Sequence, residues 1–274
     1  MLKRIVTIQD VSCFGKCSST VALPLISAMG VETAVIPTAV LSTHTGGFTG
    51  YTFRDLTADI PQIAAHWETL QLHFDGIYTG YLGSREQVQI MADFFDAFRS
   101  EDTVIVVDPV MGDAGSMYAG FTPDFAVEMR KLCGKADVIA PNMTEVSLLL
   151  GIPYAEQCPL ETVKTYLKQL TEIGCPIAVI TGIRNGDQHG AIAYDSTTGS
   201  YYAAYREHVP EPMHGTGDIF ASILAADAVN GVAFEESVKK ASNFIKKCIL
   251  SSIERNIPLT DGVCFEDHLG TLAR

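Results

Sequence analysis

Short apolar runs alternate along this chain with longer segments in which apolar residues recur at helical spacing. Val104–Val107 illustrates the first kind, because consecutive branched apolar residues suit a strand that is buried on both faces. Glu86–Arg99 illustrates the second, with apolar side chains at Val88, Met91 and Phe95. Strands and helices that alternate through short connections predict an α/β fold, with a mostly parallel central sheet and helices on both faces.

The same alternation extends along the whole sequence. The predicted strands are Ile5–Ile8, Ala34–Leu41, Gly76–Thr79, Val104–Val107, Val138–Ala140 and Ile177–Ile180. The predicted helices are Ser18–Met29, Ala58–Leu72, Glu86–Arg99, Phe125–Cys133, Glu145–Leu150, Val163–Ile173, Thr216–Val229 and Glu235–Ser252. A hairpin is predicted for Ala191–Tyr194 and Tyr201–Tyr205. No linker or repeat interrupts this pattern, so we expect one domain over residues 1–274.

The composition narrows the range of partners and compartments. A formal net charge of −13 argues against nucleic acid or an anionic membrane as a partner, because no basic surface is evident to neutralise phosphates. With 47% hydrophobic residues, the chain can bury a sizeable core. The seven cysteines are scattered and lack Cys-x-x-Cys spacing, so we expect reduced thiols and a cytoplasmic protein. The first apolar run is too short for a signal peptide or a membrane span.

The tetrapeptide Gly215-Thr216-Gly217-Asp218 stands at the start of an apolar, Ala-rich helix near the C-terminus. Its two glycines allow a tight turn, and a helix N-terminus offers unpaired N–H groups and a partial positive charge to an anion. Asp218 would lie beside that anion, where a carboxylate can accept a proton from a hydroxyl group. These are the parts of a small-molecule kinase, although Asp or Thr at this position is also a common helix cap.

Polar residues follow the predicted strands, and ligands of such sheets bind outside the carboxyl ends of the strands. Asp108 comes directly after Val104–Val107, while Asn142 and Glu145 open the helix after the fifth strand. Oxygen atoms that converge across strand ends suit Mg²⁺, which keeps several waters and is held by few carboxylates. We therefore interpret Asp108 and Glu145 as organisers of Mg²⁺–ATP through water. The alternatives are a turn acceptor for Asp108 and a helix-dipole interaction for Glu145.

Two loops near the N-terminus carry a carboxylate, hydroxyl groups and an imidazole. Asp10 and Ser12 lie in the first, and His44 and Thr45 lie in the second. This mixture suits a polar heteroaromatic substrate that is hydrogen-bonded at its edge and stacked on its face. Tyr81 fits the same pocket or, equally well, a packing position at its rim. Taken alone, His44 would be an ordinary surface residue.

Together these motifs resemble the pyridoxal kinase branch of the ribokinase-like superfamily. The resemblance covers nearly the whole chain, and its motifs occur in order. They are Gln9 with Gly15, Thr43–Gly46, Thr79–Tyr81, Asp108–Asp113, Ser116–Tyr118, Ala140–Asn142 with Glu145, Thr181, and Gly215–Asp218.

The resemblance implies a ribokinase-like fold and an ATP-dependent kinase that phosphorylates the 5′-hydroxymethyl group of pyridoxal, pyridoxamine or pyridoxine. Asp218 would be the base, and Gly215, Thr216 and Gly217 would form the anion hole for the transferred phosphoryl group. The family also implies Mg²⁺ with ATP, a response to K⁺ or Na⁺, and a homodimer. The residues implied for the nucleotide and metal are Asp108, Asp113, Tyr118, Ala140, Asn142, Glu145 and Thr181. Those implied for the substrate are Asp10, Ser12, His44, Thr45, Tyr81 and Asp218.

Two positions depart from the pattern of that family. Asp10 stands where pyridoxal kinases typically have a serine that contacts the substrate ring. A carboxylate binds a protonated ring nitrogen or an exocyclic amine more strongly than a hydroxyl does, which predicts a shifted preference among the three vitamers. Gly47 follows Gly46 where the family often has a bulky residue, which predicts a roomier pocket.

Two other functions remain compatible with the sequence. A hydroxymethylpyrimidine kinase of thiamine biosynthesis shares the fold and acts on a similar heteroaromatic alcohol, but that family usually has Cys at the position of Asp218. A non-catalytic B6-binding protein could use the same scaffold, although its Asp218 and glycine anion hole would then have no role.

Overall fold

The computed structural model describes residues 2–209 and 213–273. The strands in these residues are β1 (Arg4–Ser12), β2 (Glu32–Leu41), β3 (Phe53–Asp55), β4 (Gly76–Thr79), β5 (Val104–Val107), β6 (Gly112–Asp113), β7 (Ser116–Met117), β8 (Val138–Ile139), β9 (Ile177–Asn185), β10 (Gln188–Asp195) and β11 (Ser200–Glu207). The helices are α1 (Ser19–Ala28), α2 (Ile60–Thr69), α3 (Arg85–Phe98), α4 (Pro123–Cys133), α5 (Met143–Leu150), α6 (Leu160–Thr171), α7 (Thr216–Val229) and α8 (Phe234–Glu254). Two short 3₁₀ helices follow, at Leu259–Asp261 and Glu266–Thr271.

The strands of the described chain form one nine-stranded sheet and a separate two-stranded ribbon of β6 and β7. The order in the large sheet is β11-β10-β9-β8-β5-β4-β1-β2-β3. The neighbours from β2 to β9 all pair in parallel, while β3, β10 and β11 pair antiparallel at the two edges. The expectation of a mostly parallel sheet is therefore confirmed.

Helices cover both faces of the sheet because the strand side chains alternate between two apolar clusters. Ile5 of β1 belongs to the cluster that includes α1, α7 and α8, whereas Val6 and Ile8 belong to the cluster that includes α2 to α6. Helix α7 is buried at every position from Ile219 to Ala226, since the sheet, α1 and α8 surround it. Its apolar residues therefore cover all sides of the helix rather than one stripe.

The chain reverses its direction across the sheet between β1 and β4. After β1 it adds β2 on one side, and it then returns to place β4, β5, β8 and β9 in turn on the other. Such a point opens a crevice between the loops at the carboxyl ends of the two strands, which is where open α/β sheets bind ligands.

Several elements differ from the sequence-based prediction. Strand β1 continues to Ser12 instead of ending at Ile8, so Asp10 lies within the strand, where the pairing with β2 shifts register between Gln9 and Val11. The polar pair Gln9-Asp10 looks like the end of an apolar run, but the backbone of β1 continues to pair with β2 as far as Ser12. The ribbon of β6 and β7 and the exposed strand β3 were not predicted, because two or three residues carry too little pattern.

Of the helices that the structure describes, none combines the length and the apolar character that a membrane crossing requires.

Candidate active site

A cavity of about 1650 Å³ opens at the carboxyl ends of the parallel strands. This volume exceeds that of an ordinary ligand pocket and gives room for two ligands side by side. Every site residue predicted from the sequence lines it. They are Asp10, Ser12, His44, Thr45, Tyr81, Asp108, Asp113, Tyr118, Ala140, Asn142, Glu145, Thr181, Gly215, Thr216, Gly217 and Asp218.

The N-terminus of α7 forms part of the cavity wall. Gly215 precedes the helix in a left-handed conformation with φ 86° and ψ −2°, and no side chain of the described residues caps the helix. The first N–H groups of α7 are therefore left for a ligand, and the helix dipole adds a partial positive charge. This arrangement can bind a phosphoryl group without a basic side chain.

Gly215 also allows the close approach of another loop. A Cβ atom at this position would fall inside contact distance of the Lys16 carbonyl oxygen, and the positive φ independently disfavours any other residue. Glycine is therefore required at position 215 for two reasons, its backbone conformation and the lack of space for a side chain.

Asp218 lies in the first turn of α7 and is only partly open to the cavity. Burial among protein atoms raises the pKa of its carboxyl group to about 6. A backbone hydrogen bond from Ser18 lowers that pKa and the nearby Asp10 carboxylate raises it, but burial dominates. A carboxyl group with a pKa near neutrality is well matched to accepting a proton at physiological pH.

Asp108 and Glu145 add two more buried carboxyl groups, with only 7% and 3% of each residue exposed. Burial raises the pKa of both side chains. Repulsion from Asp218 raises the pKa of Asp108 further, and repulsion from Asp108 raises that of Glu145. None of the three carboxylates forms an ion pair with a Lys or Arg of the described residues. The site therefore carries uncompensated negative charge, which a cation would relieve.

Glu145 also holds the local backbone in place. It completes a capping box with Asn142 at the start of α5, and its second oxygen accepts a hydrogen bond from the Met111 N–H at 3.1 Å. Glu145 lies in the first turn of α5, so the helix-dipole interaction considered as its alternative role is also present. This structural role is compatible with the predicted contact between Glu145 and metal-bound water, because a carboxylate oxygen can accept more than one hydrogen bond. That contact stays a prediction.

The segment after Asp108 is fastened to the start of α5. The Asn142 side chain donates to the Gly112 carbonyl oxygen at 2.9 Å, and the Gly115 N–H donates to the Thr144 hydroxyl at 2.9 Å. On the other side, Asn142 forms a parallel bridge with Thr181 at the strand ends. The predicted nucleotide residues thus converge because β5, β8 and β9 are neighbours.

Asp10 lies at the opposite end of the cavity and is 5% exposed. The Ser12 hydroxyl donates to its Oδ2 at 2.8 Å. Burial nevertheless raises the pKa of Asp10 above its ordinary value. A buried carboxylate without a basic hydrogen-bond partner favours a ligand with a positive charge or an N–H donor.

His44 is buried in the cavity wall with both ring nitrogens occupied. The Gly46 N–H donates to Nδ1 at 3.0 Å, so Nε2 carries the proton and donates to the Thr260 carbonyl oxygen at 2.6 Å. The ring lies 4.6 Å from that of His214 and 4.9 Å from that of Phe48. His44 can therefore contact a substrate through its ring face, while its polar atoms hold the loop.

The two glycines that follow do not enlarge the pocket, so the sequence-based expectation of extra space is wrong. The His214 ring occupies the space beside Gly46, and a Cβ atom at Gly47 would lie 2.9 Å from the Thr260 side chain. Both positions are close contacts between loops rather than openings toward a ligand.

Aromatic side chains form the remaining wall of this end. Tyr81 stacks on Phe121 with ring centroids 5.7 Å apart, and Phe121 stacks on Phe125 at 4.2 Å. Burial raises the pKa of Tyr81 to about 12, so its phenol stays protonated and can donate a hydrogen bond. Phe48 and Tyr51 complete the wall from the loop after β2. Flat rings around a carboxylate suit an aromatic heterocycle.

Several lining residues were not predicted from the sequence. His214 directly precedes the Gly215–Asp218 motif, so its position in the chain could have revealed it. Phe48 and Tyr51 make their loop unusually aromatic, which was also a usable signal. Ser18 gave no signal, because its importance lies in a backbone conformation that serine rarely adopts.

The donor set fits a cation that is held indirectly. Within the described part of the chain, no group of three or more His, Cys, Asp or Glu side chains could hold a metal ion. Two buried carboxylates without a basic partner, beside a helix N-terminus that can bind phosphate, instead suit Mg²⁺ that arrives with phosphate oxygens and water.

Comparison with known proteins identifies the family of this chain. The family profile described as phosphomethylpyrimidine kinase matches residues 23–260. The chain belongs to the phosphomethylpyrimidine kinase family. It is therefore a phosphotransferase whose acceptor is an alcohol group. The sequence-based resemblance to pyridoxal kinases is confirmed as well, because curated pyridoxal kinases match most of its length.

Some relatives of this chain are described as pyridoxal kinases and others as phosphomethylpyrimidine kinases. A pyridoxine/pyridoxal/pyridoxamine kinase of Bordetella avium is 26% identical, over 91% of this chain and 85% of its own. A proposed phosphomethylpyrimidine kinase of Bacteroides thetaiotaomicron is 38% identical with a TM-score of 0.96, covering 99% of this chain and 94% of its own. A second crystal form of that protein contains pyridoxal. A Lactobacillus plantarum pyridoxal kinase is 34% identical with a TM-score of 0.92, covering 99% and 97% of the two chains.

Proposed function

We propose that this phosphotransferase transfers the γ-phosphoryl group of ATP to the 5′-hydroxymethyl group of a vitamin B6 form, in the salvage of pyridoxal 5′-phosphate. The observation that carries the proposal is Asp218, a half-buried carboxylate at the N-terminus of α7 and in the same cavity as Asp10; no described side chain caps that N-terminus. A base, an anion site and a polar aromatic pocket are thus adjacent. The pyridoxal bound to the Bacteroides relative supports the choice of substrate class.

Proton transfer is the first task of the site. The substrate hydroxyl gives its proton to Asp218 while its oxygen attacks the γ-phosphorus atom. The bond from that phosphorus to the β,γ-bridging oxygen breaks, and ADP leaves with the electron pair. Since only the ionised carboxylate accepts a proton, the rate should fall below a pH of about 6, the pKa of Asp218.

Charge stabilisation is the second task. The N–H groups at the start of α7, from Gly215 to Asp218, point at the oxygens of the transferred phosphoryl group, where negative charge is concentrated in the transition state. An anion hole of backbone groups at the start of a helix that is buried from Ile219 to Ala226 needs little rearrangement during the reaction.

Metal and nucleotide binding complete the proposal. Bound Mg²⁺ would neutralise the phosphate charge, and Asp108 and Glu145 would hold its water ligands. Asp113, Asn142, Tyr118, Ala140 and Thr181 line the same side of the cavity and would contact the nucleotide.

At the other end, the carboxylate of Asp10 would bind a polar edge of the pyridine ring, supported by Ser12. Thr45 and the phenol of Tyr81 would bind its remaining polar groups, and the ring face of His44 would pack against the substrate. The monovalent cation, the homodimer, the cytoplasmic location and the single domain over residues 1–274 stay predictions.

A hydroxymethylpyrimidine kinase is the second candidate, and the family profile favours it. The cavity suits its substrate too, because an aminopyrimidine is also a flat heteroaromatic alcohol that a carboxylate can bind. Asp218 at the base position, where thiamine-pathway kinases usually have Cys, favours the B6 form.

ADP release with Mg²⁺–ATP, measured against pyridoxal, pyridoxamine, pyridoxine and hydroxymethylpyrimidine, separates these functions. We expect turnover of at least one B6 form with a higher kcat/KM than that for the pyrimidine. Turnover of hydroxymethylpyrimidine alone would instead assign the protein to thiamine metabolism. Binding of a vitamer by calorimetry without any turnover would indicate a non-catalytic B6 protein.

Asp10→Ser is expected to change the ranking of the vitamers. Pyridoxamine carries an ammonium group at neutral pH, so it should lose roughly tenfold more kcat/KM than pyridoxal when the carboxylate is removed. Asp59→Ser is the matched control, because it makes the same charge change at an exposed position outside the cavity. Equal losses for all three vitamers would show that Asp10 does not discriminate between them.

A further inference from the structure

His214 lies at a close contact between two segments of the cavity wall. It directly precedes Gly215, and its ring packs against the backbone of Gly46 in the loop after β2. A Cβ atom at Gly46 would lie 2.3 Å from Cε1 of that ring. Gly46 does not have a positive φ, so the His214 ring, rather than the backbone conformation, leaves no space for a side chain there.

The imidazole of His44 extends this contact to a third segment. Its ring centroid lies 4.6 Å from that of His214. The same ring packs against Gly15, where a Cβ atom would lie 2.3 Å from the His44 Cδ2. Two adjacent imidazoles therefore join the loop after β1, the loop after β2 and the segment that precedes α7.

The contribution of the His214 ring is packing rather than charge. Burial and the neighbouring His44 lower the pKa of His214, although Asp113 raises it, so the ring is uncharged at neutral pH. The backbone of His214 is held separately, because its carbonyl oxygen accepts a hydrogen bond from the Val263 N–H at 3.2 Å. A side chain without a ring would leave that backbone contact intact and remove only the contact with Gly46.

We propose that His214 is a positioning residue whose ring sets the distance between loop 43–46 and segment 215–218. The loop carries His44 and Thr45, and the segment carries the proposed base and anion hole. The inference rests on the proposed function in one respect, namely that the acceptor substrate binds against this loop. Misplacement of a reacting group by about 1 Å can reduce a rate on the order of 100-fold, so loss of the ring should lower kcat as well as raise KM.

A double-mutant cycle tests the contact between Gly46 and His214. We expect Gly46→Ala to lower kcat/KM for the B6 substrate roughly tenfold, because the new methyl group displaces the ring. His214→Ala should lower it roughly 30-fold, with a reduced kcat. When both substitutions are combined, the methyl group occupies the space that the ring has left, so Gly46→Ala should then cost less than about twofold. Additive losses, or a raised KM with an unchanged kcat in His214→Ala, would overturn the proposal.

Two further variants distinguish packing from hydrogen bonding. His214→Phe keeps a flat, uncharged ring and should retain kcat/KM within about threefold of the wild type, whereas His214→Gln should resemble His214→Ala. The opposite ranking would indicate a hydrogen bond from His214 to a ligand and would also overturn the proposal. The dissociation constant of Mg²⁺–ATP, measured by calorimetry, should stay within about threefold in every variant.

Gly270→Ala is the matched control for the added methyl group. Gly270 is exposed and also lacks a positive φ, but no described atom lies within 4 Å of the Cβ that alanine would add. Its substitution should leave kcat, KM and the melting temperature unchanged.

Melting temperatures separate a failure of this inference from a failure of the proposed function. Gly46→Ala should lower the melting temperature by roughly 3 °C in the wild type and by less than about 1 °C beside His214→Ala. If the wild-type chain phosphorylates no vitamer, the proposed function has failed, and additive losses of melting temperature would then overturn the contact as well. If the wild-type chain is active and His214→Ala keeps its kcat, only the role of His214 has failed.

Discussion

Asp218→Asn is expected to lower kcat roughly 1000-fold, because the substrate hydroxyl loses its proton acceptor while the anion hole and the nucleotide contacts remain. Binding of ATP, measured by calorimetry with Mg²⁺, should change little. The same variant should be more stable than the wild type above a pH of about 6. The pKa of Asp218 is raised from 3.8 to about 6 on folding, so its ionisation lowers stability as the pH rises through this range. Asparagine has no such cost.

Asp227→Asn provides the matched control for this experiment. Asp227 lies on the same helix, is 1% exposed and forms an ion pair of 2.6 Å with Lys240 on α8. Its substitution should reduce stability modestly, because it removes the charged partner of the half-exposed Lys240, while leaving kcat close to that of the wild type. If Asp218→Asn retained a kcat within tenfold of the wild type, Asp218 would not be the base.

Gly215→Ala is expected to damage both stability and activity. The new Cβ would collide with the Lys16 carbonyl oxygen, a backbone atom that cannot rotate away, and the residue would also have to keep a φ of 86°. Together these effects should reduce the free energy of unfolding by roughly 3 kcal/mol or more, measured by urea denaturation. The displaced turn should also lower kcat, because it carries the N–H groups of the anion hole.

Gly30→Ala separates the two causes. Gly30 has a similar φ of 78°, but no atom lies within 4 Å of the Cβ that alanine would add. Its substitution should cost only about 1 kcal/mol, which is the conformational part alone, and should leave catalysis intact. Equal losses of stability in the two variants would show that contact with Lys16 is unimportant.

The sequence predicted the parallel strands and α7 well because their pattern is local. β4, β5 and α7 have the predicted bounds, since each is a continuous apolar run with a polar or glycine boundary. The gathering of site residues also followed from the sequence. Residues that end parallel strands must meet at one edge, so the convergence of Asp108, Asn142 and Thr181 required only the correct order of elements.

Other features depend on contacts between distant parts of the chain. Asp10 lies inside β1 because pairing with β2 continues past two polar residues, and no local pattern shows that pairing. Gly47 suggested a roomier pocket in the sequence, yet a Cβ atom there would lie 2.9 Å from the Thr260 side chain. The conformation of Ser18 is imposed by β1 and α1 together. Such features arise from packing between segments that are distant in the chain, and local sequence patterns do not reveal such contacts.

The burial of α7 from Ile219 to Ala226 has a consequence for motion. An amide in the middle of this helix can exchange its hydrogen with solvent only when the surrounding core opens, whereas the loop between β2 and β3 can open locally. The proposed base and anion hole therefore lie at the start of a helix whose middle should open only rarely. We expect ligands to enter and leave through fluctuations of the loop between β2 and β3, so this loop rather than α7 should set the rate of product release.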